Sequence, residues 1–184
     1  MPCAGRCDEP VPVFMDGRIL VGARATELED RPSPLPVANP GQFEECVFAG
    51  IREPGRARMD GYRGSGGYEA LERALGHMSP DQVIEEIADS GLAGRGGAGF
   101  PTGQKWRAVA EAAGEPKTIV CNADESEPGT FKDRVIMEGD PHMMLEGMAL
   151  ASYAIGAEVA YLYIRGEYVL CIERLETALD EAYR

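Results

Sequence analysis

The sequence predicts an α/β fold, with a parallel sheet flanked by helices, and three observations indicate it. Two short apolar segments, residues 118–121 and 159–164, have the composition of β-strands. Segments with apolar residues at helical spacing lie before the first of them and between the two. Glycine and proline clusters separate these segments. Because strands that alternate with helices pair in parallel through right-handed crossovers, we expect one layered sheet.

The first 60 residues are predicted to form an irregular N-terminal arm or linker. Prolines recur between positions 10 and 40, and proline both removes a backbone donor and breaks helices. The short apolar runs at residues 12–15 and 18–21 allow one or two short strands at most. We therefore assign residues 1–60 to the arm and residues 61–184 to the α/β domain.

The helices of the α/β domain are predicted from apolar spacing and from capping residues. The apolar stripe of the first helix comprises Tyr68, Leu71, Leu75 and Met78, with Gly76 as a stop signal. Ser79 and Pro80 mark the start of a second helix, because proline fits the first helical position. The predicted buried stripe of this helix comprises Val83, Ile84, Ile87 and Leu92. Four further helices are predicted over residues 104–113, 132–138, 141–155 and 167–184, and the first strand, residues 118–121, is predicted to be buried.

The acidic composition argues against two classes of partner. Lys plus Arg number 18 and Asp plus Glu number 31, which gives a net charge of −13. Such a surface repels nucleic acid and anionic lipid. The N-terminus lacks the apolar core of a signal peptide, and no stretch reaches the roughly 18 apolar residues of a spanning helix. We expect a cytoplasmic protein that neither binds nucleic acid nor inserts directly into a membrane.

A glycine-rich loop, residues 94–103, is the most informative segment. Dense glycine is tolerated where the backbone takes positive φ or lies against a ligand, and consecutive amides form an anion-binding nest. Arg95 and Lys105 add positive charge, and the following helix adds its N-terminus. The glycines follow a helix where the dinucleotide-binding pattern needs a strand, and Lys105 lacks the P-loop context. The loop indicates a site for a phosphate, a pyrophosphate or a flavin ring, with an unliganded flexible loop as the alternative.

A second polar segment, residues 122–130, directly follows the first strand of the α/β domain. In open α/β sheets, ligands bind beyond the carboxyl ends of the strands. Asn and carboxylate side chains at that edge suit ribose hydroxyls or the polar edge of a flavin or nicotinamide. A solvated acidic turn would have the same composition, and the sequence leaves both interpretations open.

Other chemistry is weakly indicated. Cys3 and Cys7 have the spacing of half a metal site, but no second cysteine pair follows at a usable distance. Cys121 and Cys171 lie on apolar runs and are predicted to be buried small residues. His142 at a helix start is predicted to be structural or solvated. With no nucleophile elbow and only two histidines, neither a catalytic side chain nor a metal site is predicted.

The motifs resemble one known family. Residues 91–103, followed by Lys105 and Trp106, closely resemble the flavoprotein subunit of respiratory complex I. The same module occurs in NAD-reducing hydrogenases and NAD-dependent formate dehydrogenases. Residues 121–134 resemble the next block of the family, and shorter blocks follow in the family's order at residues 141–142, 146–148 and 163–168. The resemblance covers residues 66–184.

The resemblance implies a Rossmann-like domain that binds FMN and receives a hydride from NADH. It assigns a nucleotide-facing loop to Gly94, Arg95, Gly96, Gly97 and Lys105, and flavin contacts to Asn122, Asp124 and Glu125. It also implies that Phe100 stacks near the nicotinamide or adenine and that Glu127 meets polar groups of NADH. Whether the glycine loop holds mainly FMN or NADH stays open, and so does the choice between NADH and NADPH.

The chain also departs from that family. The cysteines that bind a [4Fe–4S] cluster in the family are absent from this chain, as is a Gly-Glu-Glu block on the flavin ribityl side. We therefore expect a domain that is incomplete at its C-terminal end. Its expected partners are redox subunits that carry iron–sulfur clusters and the rest of the flavin site, in a complex at the inner face of the membrane. The alternative is a non-catalytic docking module of a redox assembly, a truncated relative without flavin.

Overall fold

The computed structural model describes residues 6, 12–16, 18–22, 25–29, 32, 34–37 and 45–184. Its strands are β1 (Val13–Met15), β2 (Arg18–Leu20), β3 (Lys117–Ala123) and β4 (Ala157–Ile164). Its α-helices are α1 (Met59–Gly64), α2 (Glu69–His77), α3 (Pro80–Asp89), α4 (Thr102–Glu111), α5 (Lys132–Gly139), α6 (Pro141–Ile155) and α7 (Val169–Ala182). Strands β3 and β4 pair in a parallel sheet flanked by helices, which confirms the predicted α/β class.

The arm contains the short strands that the sequence allows. Strands β1 and β2 form an antiparallel hairpin in which Val13 pairs with Leu20, and a 3-10 turn (Ala25–Glu27) follows. Cys3 and Cys7, whose spacing is that of half a metal site, lie outside the described residues. The boundary at residue 60 stays a prediction.

The chain divides into two compact units that are interleaved along the sequence. The first unit comprises Met1–Gly66, Asn122–Met144 and Tyr163–Arg184, and the second comprises Gly67–Cys121 and Leu145–Leu162. No helix in the described part of the chain is both long enough and apolar enough to cross a membrane.

The second unit has a core made by its helices. The buried side chains of Ala74, Val83, Ile84 and Ala154 form this core, and Trp106 packs against it. Helix α3 begins as the sequence predicts, because Ser79 and Gln82 form a complete capping box and Pro80 is the first helical residue. Of the predicted stripe, Leu92 is the exception: it lies beyond the end of α3 and is 43 % exposed.

Helices α3 and α4 cross at Gly103, and this contact allows a prediction. A Cβ at Gly103 would lie 2.6 Å from the Cα and the Cβ of Ala88. Gly103→Ala is therefore expected to lower the free energy of unfolding by about 1–3 kcal/mol, as over-packed cores do. Gly76 lies inside α2 and does not end it, so its prediction as a stop signal is wrong. Gly76→Ala is the matched control, because its Cβ would meet nothing within 4 Å. Urea denaturation of both variants measures the difference, and equal stability of the two would contradict the prediction.

The sheet is less buried than the sequence predicts. The side chains of β3 alternate between partly buried and exposed, and Val120 is 61 % exposed. On β4, Val159, Tyr161 and Tyr163 are also exposed. The prediction of a buried strand at residues 118–121 is therefore wrong. A short apolar run predicts a strand, but it does not tell whether one or both faces are covered.

The first unit is held together around α7. His142 is completely buried, its Nε2 lies 3.0 Å from Oε2 of Glu181 on α7, and its ring stacks on Tyr62. Burial opposes the charge on Glu181, but the Met59 amide, His142 and Arg58 outweigh it and lower the pKa of this carboxyl. His142 thus has the structural role that its helix-start position predicts. Cys171 is buried as predicted, and burial raises the pKa of its thiol well above the usual value. Cys121, for which burial was also predicted, is only partly buried.

Candidate functional site

The glycine loop is closed at its base, within the second unit. Ala93 and Pro101 form an isolated antiparallel bridge. The amide of Gly94 donates to the carbonyl of Phe100 at 3.0 Å, and the amide of Thr102 donates to the carbonyl of Leu92 at 2.8 Å. Because α4 begins at Thr102, these bonds hold the loop directly at the N-terminus of that helix.

The middle of the loop is open. A Cβ at Gly96 or Gly97 would meet no atom within 4 Å, and every residue from Gly94 to Phe100 is exposed. No backbone hydrogen bond among the described residues uses the amide of Gly96 or Gly97 as donor. Gly99 has a φ of +67°, a conformation that side chains disfavour. The backbone is therefore open to the direct approach of a flat or anionic ligand, and the predicted flavin or pyrophosphate contact stays a prediction.

Three other predicted side chains lie on the same segment. The Arg95 guanidinium donates to the carbonyl of Ala93 at 3.1 Å and stays exposed, as does Lys105 in the first turn of α4. Phe100 is 57 % exposed at the end of the loop. The N-cap residue of α4, Pro101, gives this helix no side-chain cap. The segment thus combines two exposed cations, an uncapped helix N-terminus and an exposed aromatic ring, which are the features that anion and ring binding require.

The polar segment of residues 122–130, in the first unit, comprises the last two residues of β3 and the loop that follows, and the whole segment is called the loop after β3. Its first residues alternate between exposed and buried. Asn122 and Asp124 are exposed, whereas Ala123 is 3 % exposed. The amide of Asp124 donates to Oδ1 of Asn122 at 3.1 Å, and the hydroxyl of Ser126 donates to Oδ1 of Asp124 at 2.7 Å. Glu127 is exposed as well. Asn122, Asp124 and Glu127 are therefore accessible to a ligand, and their predicted contacts with flavin and NADH stay predictions.

Glu125 differs from its neighbours because it is buried, with 5 % exposure. Its Oε1 accepts from the amide of Asp133 at 2.9 Å, and its Oε2 accepts from the amide of Arg134 at 3.1 Å. These amides belong to the first turn of α5, whose N-cap residue Phe131 makes no side-chain cap. The structure therefore places the Glu125 carboxylate on the N-terminus of α5, while its predicted flavin contact remains a prediction.

Arg165 and Tyr168 complete this loop, and sequence reasoning gave them no role. The Arg165 guanidinium donates to the backbone carbonyl of Glu125 at 2.9 Å, and the Tyr168 hydroxyl donates to the same oxygen at 3.2 Å. Burial, together with the charge of Glu125, raises the pKa of Tyr168 to about 12, so the phenol keeps its proton at neutral pH. Their position in the sequence could have indicated this role, because both residues follow β4 at the carboxyl edge of the sheet, where the loop after β3 also begins.

The described residues contain no group of three His, Cys, Asp or Glu side chains placed to hold a metal ion. The two loops instead present backbone amides, cationic side chains, carboxylates, the side-chain amide of Asn122 and the aromatic ring of Phe100. Such groups bind and orient a cofactor, and none of them is a nucleophile or a redox centre.

One family model matches the chain. It is described as the Nuo51 FMN-binding domain, and it covers residues 87–184, more than half of the chain. Both loops described above lie inside the matched range.

Individual relatives agree with this match. An NADH-quinone oxidoreductase subunit of Rhizobium meliloti (strain 1021) is 55% identical over 141 residues, which is 77% of this chain and 34% of the relative. The corresponding NADH-quinone oxidoreductase subunit of Aquifex aeolicus (strain VF5) is 53% identical over 131 residues, or 71% of this chain and 30% of the relative. The chain therefore spans about a third of the length of these curated relatives.

A solved structure has a similar fold. The crystal structure of NAD+-reducing [NiFe]-hydrogenase in the air-oxidized state matches with a TM-score of 0.74 and 31% sequence identity. The match covers 97% of this chain and 32% of the hydrogenase chain. These matches confirm the resemblance to the complex I flavoprotein subunit and to NAD-reducing hydrogenases that the motifs indicated.

Proposed function

Because the chain belongs to the family of the Nuo51 FMN-binding domain, we propose that it binds FMN and takes part in the oxidation of NADH. The observation that carries the proposal is the open backbone at Gly96 and Gly97, where a ligand can approach without meeting a side chain. When bound, FMN would supply the hydride and electron chemistry, with NADH as the donor. The protein's own residues bind and orient the reactants.

The glycine loop would hold a nucleotide by its backbone. The amides of Gly96 and Gly97 would donate to oxygen acceptors, while Arg95 and Lys105 offset negative charge on the ligand. This local positive charge matters because the whole chain carries a net charge of −13, which otherwise repels a dinucleotide. Phe100 would offer its exposed ring to the nicotinamide or adenine, since aromatic faces stack on flat rings.

The loop after β3 would supply directional hydrogen bonds. Asn122 offers both a donor and an acceptor, and Asp124 offers a carboxylate oxygen to N–H or O–H groups of the flavin. Glu127 is exposed and would accept from hydroxyl groups of NADH. We propose these contacts position by position from the family resemblance, with Glu125 treated separately below.

We also propose that the chain works inside a larger redox assembly. The two relatives named above are subunits of NADH-quinone oxidoreductases, and this chain matches only about a third of each. As the family resemblance implies, the electrons would pass on to iron–sulfur clusters in partner subunits. The same assembly would supply the remainder of the flavin site.

A visible absorption spectrum of the natural assembly, purified through this chain, tests the proposal. We expect a flavin band that bleaches when NADH is added under anaerobic conditions, and mass spectrometry should identify co-purifying redox subunits. Addition of NADPH in a parallel sample decides between the two nucleotides. A spectrum without flavin in an assembly that contains the partner subunits would reject the proposal in favour of a non-catalytic docking module.

A further inference from the structure

The carboxylate of Glu125 is fully committed to the protein itself. Its two oxygens accept from the amides of Asp133 and Arg134, and the ammonium group of Lys132 lies 3.5 Å from Oε1. A carboxylate at a helix N-terminus is stabilised by the free amides and by the helix dipole. With 5 % of its surface exposed, Glu125 has little contact with solvent.

The backbone of Glu125 is anchored from a second element. Its carbonyl accepts from Arg165 at 2.9 Å and from Tyr168 at 3.2 Å. The side chain of Arg165 is 8 % exposed, and Tyr168 is 2 % exposed. The side chain of Glu125 thus connects the loop after β3 to α5, and its backbone carbonyl connects the same loop to the segment between β4 and α7.

This double anchor determines how the neighbouring side chains point. Successive side chains of an extended segment project to opposite sides. With Ala123 and Glu125 held inward, Asn122 and Asp124 are directed outward, as their exposure shows. The hydrogen bonds at Glu125 therefore determine the direction of the Asn122 and Asp124 side chains, although the Glu125 carboxylate does not bind either of them.

We propose that Glu125, Arg165 and Tyr168 are positioning residues, which hold the loop after β3 so that Asn122 and Asp124 are oriented toward a bound flavin nucleotide. This inference rests on the proposed function. It gives Glu125 a role different from the flavin contact that the family resemblance implies. It also gives Arg165 and Tyr168 a role, because both side chains donate hydrogen bonds to the backbone carbonyl of Glu125.

The test uses three variants in the natural assembly. Tyr168→Phe removes one hydrogen bond to the Glu125 carbonyl, and Glu125→Gln removes the charge and one of the two acceptors for α5. Tyr161→Phe on β4 is the matched control, because that phenol is 59 % exposed. The dissociation constant of FMN is measured by fluorescence titration, together with hydrogen exchange of residues 122–136 and the flavin absorption spectrum.

We expect the FMN dissociation constant to rise roughly threefold to tenfold in Tyr168→Phe, as for loss of one neutral hydrogen bond. Glu125→Gln is expected to raise it by about tenfold or more, and Tyr161→Phe is expected to leave it unchanged. In Tyr168→Phe and Glu125→Gln, hydrogen exchange over residues 122–136 should accelerate, while the absorption spectrum of the bound flavin should keep its shape. If these residues had a purely structural role, the substitutions would lower the melting temperature, but the FMN affinity measured far below that temperature would not change.

Two results would overturn the inference. The first is an unchanged FMN affinity in Tyr168→Phe, which alone decides the matter if Glu125→Gln does not fold. The second is an effect confined to Glu125→Gln and accompanied by a shifted flavin spectrum, which would indicate direct contact. Failure of the proposed function is recognised separately, because the unmodified assembly would then contain no FMN and bind none.

Discussion

Replacing Gly97 by Val is expected to abolish FMN binding, with a rise in the dissociation constant of roughly 100-fold or more, about 2.7 kcal/mol. The valine methyl groups would occupy the space beside the backbone in which no protein atom lies within 4 Å. A ligand that accepts or donates at the Gly97 backbone would then be pushed away from the neighbouring amides. The free energy of unfolding without FMN should stay nearly constant, because the added Cβ meets no atom of another segment within 4 Å.

The control for this prediction is Gly64→Val at the end of α1, where a Cβ also meets nothing within 4 Å. Both variants are titrated with FMN in the natural assembly and melted in parallel. The expected pattern is a large loss of affinity in Gly97→Val alone, with similar melting temperatures when FMN has been removed from both variants. If Gly97→Val binds FMN within about twofold of the unmodified protein, the glycine loop does not lie against the flavin nucleotide.

Replacing Glu146 by Ala is expected to destabilise the second unit by about 2–6 kcal/mol. The carboxylate is 6 % exposed and accepts from the amides of Tyr68 and Leu71, at 3.0 and 3.1 Å. These amides belong to the start of α2, whose N-cap residue makes no side-chain cap. Without the carboxylate, two donors would be left without their acceptor, and each such loss costs about 1–3 kcal/mol.

Urea denaturation measures this loss, with two variants for comparison. Glu146→Gln keeps one acceptor oxygen and should lose roughly half as much stability. Glu158→Ala, at an exposed position of β4, should stay within about 0.5 kcal/mol of the unmodified protein. The prediction is wrong if Glu146→Ala is no less stable than Glu158→Ala.

The sequence predicts more about the glycine loop than about the loop that contains Glu125. The sequence shows that Gly96 and Gly97 have no side chain beyond the backbone, because glycine lacks a Cβ. Only the structure shows that no other segment covers them, since Gly103 in the same loop packs tightly against Ala88. The role of Glu125 cannot be derived in that way, because the donors of its hydrogen bonds lie 8 to 43 residues away along the chain. A motif could therefore mark the residue but not show which group its carboxylate binds.

By itself, the sequence determined the α/β class, the order of helices and strands from residue 66 onward, and the start of α3. These features depend on neighbours within a few positions: apolar spacing for the helices, and the Ser79–Gln82 capping box for α3. The family resemblance was likewise contained in short contiguous motifs.

Only the tertiary structure decided how three other helices are capped and which face of the sheet is covered. The N-cap residues Arg58, Tyr68 and Phe131 provide no side-chain cap, and the acceptors come from Glu181, Glu146 and Glu125 in other segments. Similarly, the apolar runs of β3 and β4 do not reveal that Val120 and Tyr161 face solvent. The physical reason is the same in both cases: a helix end needs an acceptor and an apolar face needs a cover, and when neither is local the folded chain alone determines what supplies it.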